Sequence, residues 1–130
     1  MNVKYLVVHC ADTPNERDVD AADIHDWHTG RGWSGIGYHA VIRRSGLIER
    51  GRPEYWEGAH VRGHNHHSLG VCLIGRDQYT KDQLDSLRQL LRDWKIKYPD
   101  AVVLGHCDLD SGKTCPNFDV KHWVKTGEFK

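Results

Sequence analysis

Apolar positions along this 130-residue chain gather into short runs whose period changes from two to about 3.6 and back. The first run, VKYLVV at 3–8, is β-branched and aromatic and reads as a buried strand ending at His9. In DVDAADIHDWHTGRG, Ile24, Trp27 and His28 fall on one helical face, with Asp18 or Asp20 as the cap and Gly30 as the stop. GYHAVIRRSGLIER, at 37–50, reads as a β-hairpin turning at Ser45-Gly46, and SLGVCLIG, at 68–75, as a centrally placed strand. The clearest helix lies between Thr80 and Pro99, where Thr80 and Gln83 have capping-box spacing and Leu84, Leu87, Leu91 and Trp94 form an apolar stripe. AVVLGHC, at 101–107, reads as another strand, and FDVKHWVKTG as a short closing helix with Gly127 beyond it. Strands interleaved with helices and one hairpin predict an α/β fold: one domain over 1–130, a central mixed sheet flanked by helices.

Charge narrows the function more than hydropathy does. Lys+Arg and Asp+Glu balance at 18 each, so the chain carries no global field for nucleic acid or anionic lipid, and neither is expected as a partner. The opening MNVKYLVVHCADT is too short and too polar for a secretory signal, and no apolar run approaches the length of a membrane span. The expectation is a protein made in the cytoplasm, needing outside help to cross a membrane. Four cysteines without a secretion signal suggest thiols or metal ligands over disulfides, and no CxxC pair points to a zinc ribbon or redox motif.

Two of the predicted strands end in the same dipeptide, His9-Cys10 and His106-Cys107. Neighbouring strand residues face opposite ways, so each pair can offer one member to a shared site. If both histidines reach one edge of the sheet, the cysteines turn away into packing. Cys115, on the loop after the later strand, could then complete a two-imidazole, one-thiolate zinc site with an open fourth position. Spacing alone leaves open that all of these are core residues. The stretch HVRGHNHHSLG holds four of the ten histidines. Its His-Asn-His tripeptide lacks the longer unit a metal nuclease needs, and His64, His66 and His67 read as loop or surface residues.

Taken together and in order, VVHC, GIGYHAVIRRSGLIERGR, GAHVRGHNHHSLGVCLIG, YTKDQLDSLRQLL and GHCDLDSGKTCPNFD resemble the zinc-dependent N-acetylmuramoyl-L-alanine amidases of the type-2 class. That class includes small phage lysozymes of amidase type and the animal peptidoglycan recognition proteins. The resemblance spans nearly the whole chain and is strongest to the single-domain phage enzymes, through KTCPNFD. It implies one zinc per chain in a cleft at the sheet edge, held by His9, His106 and Cys115, with Tyr38 and Lys113 as catalytic residues and His60 facing the substrate. The implied substrate is peptidoglycan, cut between N-acetylmuramic acid and L-alanine of the stem peptide by a monomeric endolysin. It would reach the wall after a membrane lesion.

Within that reading, Lys113 is a fixed charge for an oxyanion, and Tyr38 either donates to the same oxygen or moves a proton. Glu54 and Glu57 stay open as a general base. Cys107 could replace Cys115 if the loop ran elsewhere, Trp33 and Trp56 could floor a groove or fill a core, and Arg31, Arg62 and Arg76 could meet stem-peptide carboxylates. Asn65 and Ser68 are expected to hold backbone geometry beside the cleft. The resemblance also admits two rivals: a non-catalytic peptidoglycan-binding module, and a regulator of phage RNA polymerase, which the short segment before His9 disfavours. The loop HCDLDSGKTC looks slightly longer than in the phage enzymes, which bears on where Lys113 sits.

Overall fold

The computed structural model describes residues 2–130. Its frame is one five-stranded sheet built from β1 (Tyr5–Cys10), β2 (Ala40–Ile42), β3 (Ile48–Arg50), β4 (Ser68–Leu73) and β5 (Val102–Gly105), in the order β3-β2-β4-β1-β5. β1 runs parallel to both β4 and β5, β2 runs parallel to β4, and only the β2–β3 hairpin is antiparallel. The mixed sheet expected from the sequence is therefore present. β1 and β4 are buried along nearly their whole length, as strands covered on both faces must be.

Alternation along the strands makes two cores. Leu6 and Val8 of β1, Ala40 and Ile42 of β2, and Leu69, Val71 and Leu73 of β4 share one face. Against it pack Leu87, Leu90, Leu91 and Trp94 of α2 (Lys81–Lys97), and Val120 and Trp123 of α4 (Val120–Thr126). Val41, Cys72 and Ile74 point to the other face, where they meet Val19, Ile36 and Ile24 of α1 (Ala21–Gly30). Cys72 thus lies in the core.

The predicted caps form, and they do more than end helices. Thr80 and Gln83 close a capping box on α2. Gln83 is fully buried, and its Nε2 also donates to the carbonyls of Ile42 and Ile74 at 3.2 and 2.8 Å. One side chain so ties the start of α2 to the ends of β2 and β4. On α1 the cap is Asp20, not Asp18. α1 ends at Gly30 as expected, and the left-handed residue that turns the chain away follows at Gly32, with φ +89°. Trp27 lies outside the core at 37% exposure, because α1 turns only Ile24 and His28 inward.

Sequence and structure differ most after β5. That strand ends at Gly105, and His106 opens a four-residue helix, α3 (His106–Leu109). Asp108 explains the early turn: its carboxylate accepts the Gly105 amide at 2.9 Å and caps the helix locally. His106 and Cys107 therefore do not obey strand alternation.

Candidate metal centre and cleft

β1 is an interior strand, so the cleft lies over the carboxyl-terminal rim of the sheet and not along a lateral edge. Such rims gather the ends of parallel strands and the loops that leave them. His9 arrives on β1, His106 as the first residue after β5, and Cys115 on the loop following α3. Each offers one donor atom, and the three atoms lie within 4.8 Å of one another. The Cys107 amide donates to the Cys115 carbonyl at 2.9 Å, which folds this loop back over the strand ends. Two imidazoles and one sulfur are a borderline-soft donor set suited to zinc, and three protein ligands leave a position open. The residues fit the metal that the resemblance implied.

The cleft encloses about 440 Å³ and is lined by these three residues together with Asp12, Arg31, Tyr38, His60, Lys113 and Asn117. Tyr38 stands just before β2, its ring centroid 5.1 Å from that of His9. Burial, with the nearby cysteines, pushes the Tyr38 phenol well above its ordinary value, so it is a hydrogen-bond donor at neutral pH. Lys113 is exposed at the rim. Burial, against the pull of Asp110 and with a smaller push from the Lys113 charge, holds His106 below the usual histidine range. His9 is pushed well below that range by burial and by the His60 and His106 rings. Neutral imidazoles are the form a metal binds.

His60 was expected to face the substrate. Its ring is 8% exposed, with Nδ1 2.9 Å from His9 Nε2 and Nε2 3.2 Å from Ser68 Oγ. It lines both the cleft and the groove beside it while contacting His9. The segment around it is held by Asn65, whose Oδ1 accepts the amides of His60 and Val61 at 2.9 Å each. A glycine is needed beneath the ring, because a Cβ at Gly70 would come within 2.6 Å of it.

Cys10 is buried, in keeping with the packing role read in the sequence, and it also borders the cleft. Its amide donates to Cys115 Sγ at 3.0 Å, and each thiol shifts the other, the Cys10 thiol lowered from its ordinary value and the Cys115 thiol raised. Cys107 lies outside the ligand group, so it does not take the place of Cys115.

Neither glutamate left open as a base reaches the site. The Glu54 carboxylate accepts from Trp94 Nε1 and Lys97 Nζ, both at 3.2 Å, and Glu57 does not line the cleft. Trp33, with Arg31 and Arg62, lines an adjoining groove of about 420 Å³ that shares Tyr38, His60, His106 and Lys113 with the first. Trp56 lies apart, in a separate hollow with His25 and Pro53. Arg76 is engaged by Asp12 at 2.8 Å.

Sequence reasoning missed Asp12 and Asn117. Both border the cleft with positive φ, 57° and 67°, a conformation that short polar side chains tolerate. Asn117 Nδ2 donates to the Arg76 carbonyl at 2.7 Å and clamps the Cys115 loop to the loop after β4. The pattern CPN supplied the only hint.

Known proteins place this geometry. The family model described as N-acetylmuramoyl-L-alanine amidase matches residues 1–118. The endolysin of Enterobacteria phage K11 is 41% identical over 129 residues, covering 93% of this chain and 85% of its own. The endolysin of Escherichia phage T7 is 39% identical over 131 residues, covering 95% and 86%. Among solved structures, the N-acetylmuramoyl-L-alanine amidase LysC from Clostridium intestinale superposes with a TM-score of 0.81 at 36% identity, over 88% of this chain and 76% of that one. A cleft with a His-His-Cys donor set, on this fold and with these relatives, belongs to one family: the chain is a member of the N-acetylmuramoyl-L-alanine amidases.

Proposed function

We propose that this amidase works as an endolysin, with one zinc per chain held by His9, His106 and Cys115, and that residues 1–130 form one catalytic unit. The observation that carries the reading is the meeting of those three donor atoms, within 4.8 Å, in a cleft that Tyr38 and Lys113 also line. The bond cut is the amide joining the lactyl group of N-acetylmuramic acid to L-alanine. Zinc, when bound, supplies Lewis acidity and a water acidic enough to attack near neutral pH.

The chain's own residues answer the rest of the problem. Attack on an amide carbonyl places negative charge on its oxygen, and a preorganised donor and a cation aimed at that oxygen lower the barrier. Tyr38 keeps its proton and donates through its hydroxyl. Lys113, reaching in from the rim, supplies the charge. With both glutamates turned elsewhere, no carboxylate of the sequence reading is left as the base. Arg31 lines the cleft beside Lys113 and offers a second cation to the carboxylates of the stem peptide.

The test is digestion of purified peptidoglycan, with mass analysis of products, by wild type and by Cys115→Ala, each with and without a chelator. Free lactyl-muramic ends with intact stem peptides, lost on chelation and in the variant, are expected. Wall binding by the zinc-loaded wild type without product release would make the chain a recognition module instead.

A further inference from the structure

We infer that Ser68 and His60 form a hydrogen-bond relay that fixes the tautomer of His9 and aims its Nδ1 lone pair into the cleft. The inference deepens the zinc reading above and rests on it. Its basis is a count of protons along four groups in contact. Ser68 has one hydroxyl proton, and a carbonyl can only accept, so the 2.6 Å contact from Ser68 Oγ to the His64 carbonyl uses that proton. Toward His60, the serine oxygen can then only accept. The 3.2 Å contact therefore requires a proton on His60 Nε2.

The His60 ring is buried and meets an imidazole and a serine oxygen with no carboxylate among its hydrogen-bond partners, so it is neutral, and with its proton on Nε2 the Nδ1 carries a lone pair. The 2.9 Å contact from Nδ1 to His9 Nε2 must in turn be a donation from His9. His9 is then protonated on Nε2, and Nδ1 is left as its only donor atom for a metal. All four groups sit on fixed backbone. Ser68 opens β4 and is fully buried, His60 lies over Gly70 of the same strand, and His9 is the next-to-last residue of β1, paired with Cys72 of β4. His64 carries the last carbonyl of the chain and receives the His67 amide as well, at 3.3 Å.

Ser68 and His60 are thus positioning residues. Neither is among the three metal-binding candidates, and both act through His9. Histidine ligands of metals commonly donate their second nitrogen to an oxygen. Here the acceptor is another imidazole, whose own orientation depends on a serine, and removing such partners typically weakens metal binding 10- to 100-fold.

The measurement is long-range proton–nitrogen NMR on 15N-histidine-labelled full-length protein, before and after zinc addition, with zinc affinity from chelator competition. The expected spectrum shows His9 protonated on Nε2 in both states, with its Nδ1 resonance moving on zinc addition. Ser68→Ala is expected to bind zinc 10- to 100-fold more weakly and to show both His9 tautomers when metal-free. Ser86→Ala, which removes a serine-to-carbonyl bond to Gly46 far from the cleft, is expected to leave affinity and tautomer unchanged. A His9 ring protonated on Nδ1, or wild-type affinity in a folded Ser68→Ala, would overturn the relay while leaving the zinc reading intact. A wild type that takes up no zinc would instead remove the reading beneath it.

Discussion

The backbone amide of Cys10 points at Cys115 Sγ from 3.0 Å, so a cysteine that is no candidate ligand supports one that is. An amide hydrogen bond favours a thiolate over a thiol and steadies its position. Because the donor is backbone, the support does not depend on the Cys10 side chain. Cys10→Ala is therefore expected to keep one zinc per chain and most of the wild-type hydrolysis. Cys115→Ala is expected to lose both. Metal analysis after gel filtration, with a product assay on the same samples, separates the two; a zinc-free Cys10→Ala would give its thiol a role as a ligand.

Tyr38 and Lys113 are expected to act on the reaction and not on the metal. Removing one donor aimed at a developing oxyanion commonly costs about 10²- to 10³-fold in kcat. Tyr38→Phe keeps the ring beside His9 and deletes only the hydroxyl. It is expected to lower kcat by that order with zinc content unchanged. Lys113→Met keeps the aliphatic stem and removes the charge, and a similar loss is expected. Zinc stoichiometry and kcat measured side by side decide the matter. Activity within twofold of wild type in either variant would take that residue out of the chemistry.

What the sequence made legible follows its periodicities. Leu87, Leu91 and Trp94 announced α2, and the unbroken apolar run in SLGVCLIG announced a strand buried on both faces. Thr80 and Gln83 announced a cap, though not that Gln83 would reach two strand ends. The ligand types were readable from residue chemistry, but their convergence is a property of topology. β1 and β5 are adjacent and parallel although some hundred residues of chain separate them, and that adjacency brings His9 and His106 together. Strand alternation failed at His106-Cys107 because a single local hydrogen bond, from Gly105 to Asp108, outcompeted one more residue of ladder. Nor could it show the surroundings of Cys10, which are set by a loop over a hundred residues away. Asn117 and Asp12 carry no periodic signal at all.

Gly70 is a steric test of the seat beneath His60. A Cβ there would lie 2.6 Å from the imidazole, well inside contact distance, while Ser68 and His9 hold the ring on its other sides. Overfilling a packed interior generally costs about 1–3 kcal/mol. Gly70→Ala is expected to lower the melting temperature and to weaken zinc binding, since a displaced His60 no longer meets His9. Calorimetry of the metal-free protein reads the first effect and chelator competition the second. An unchanged melting point would mean that the ring has room to move.

Buried neutral histidines should make the metal-free protein sensitive to acid. His28 is held down to about 4, chiefly by burial and then by Arg31 and Arg52, while its Nδ1 accepts the Gly37 amide at 2.9 Å. Burial lowers His39 as well, which accepts the Gly70 amide at 3.1 Å, and lowers His60 to about 3. Above the ordinary value of 6.5 these groups are neutral in both folded and unfolded chains and contribute nothing to pH dependence. Between 6.5 and about 4 only the unfolded chain takes up the protons, so each step down in pH favours unfolding. The limit is about 1.4 kcal/mol per group per pH unit, less for His28 because solvent reaches part of its ring. Denaturant unfolding of chelated protein is expected to show full stability at pH 7.5 and a steady fall from pH 6.5 to pH 5, with a shallower fall in His28→Gln. A flat profile across that window would show that these rings take up protons in the folded chain as readily as in the unfolded one.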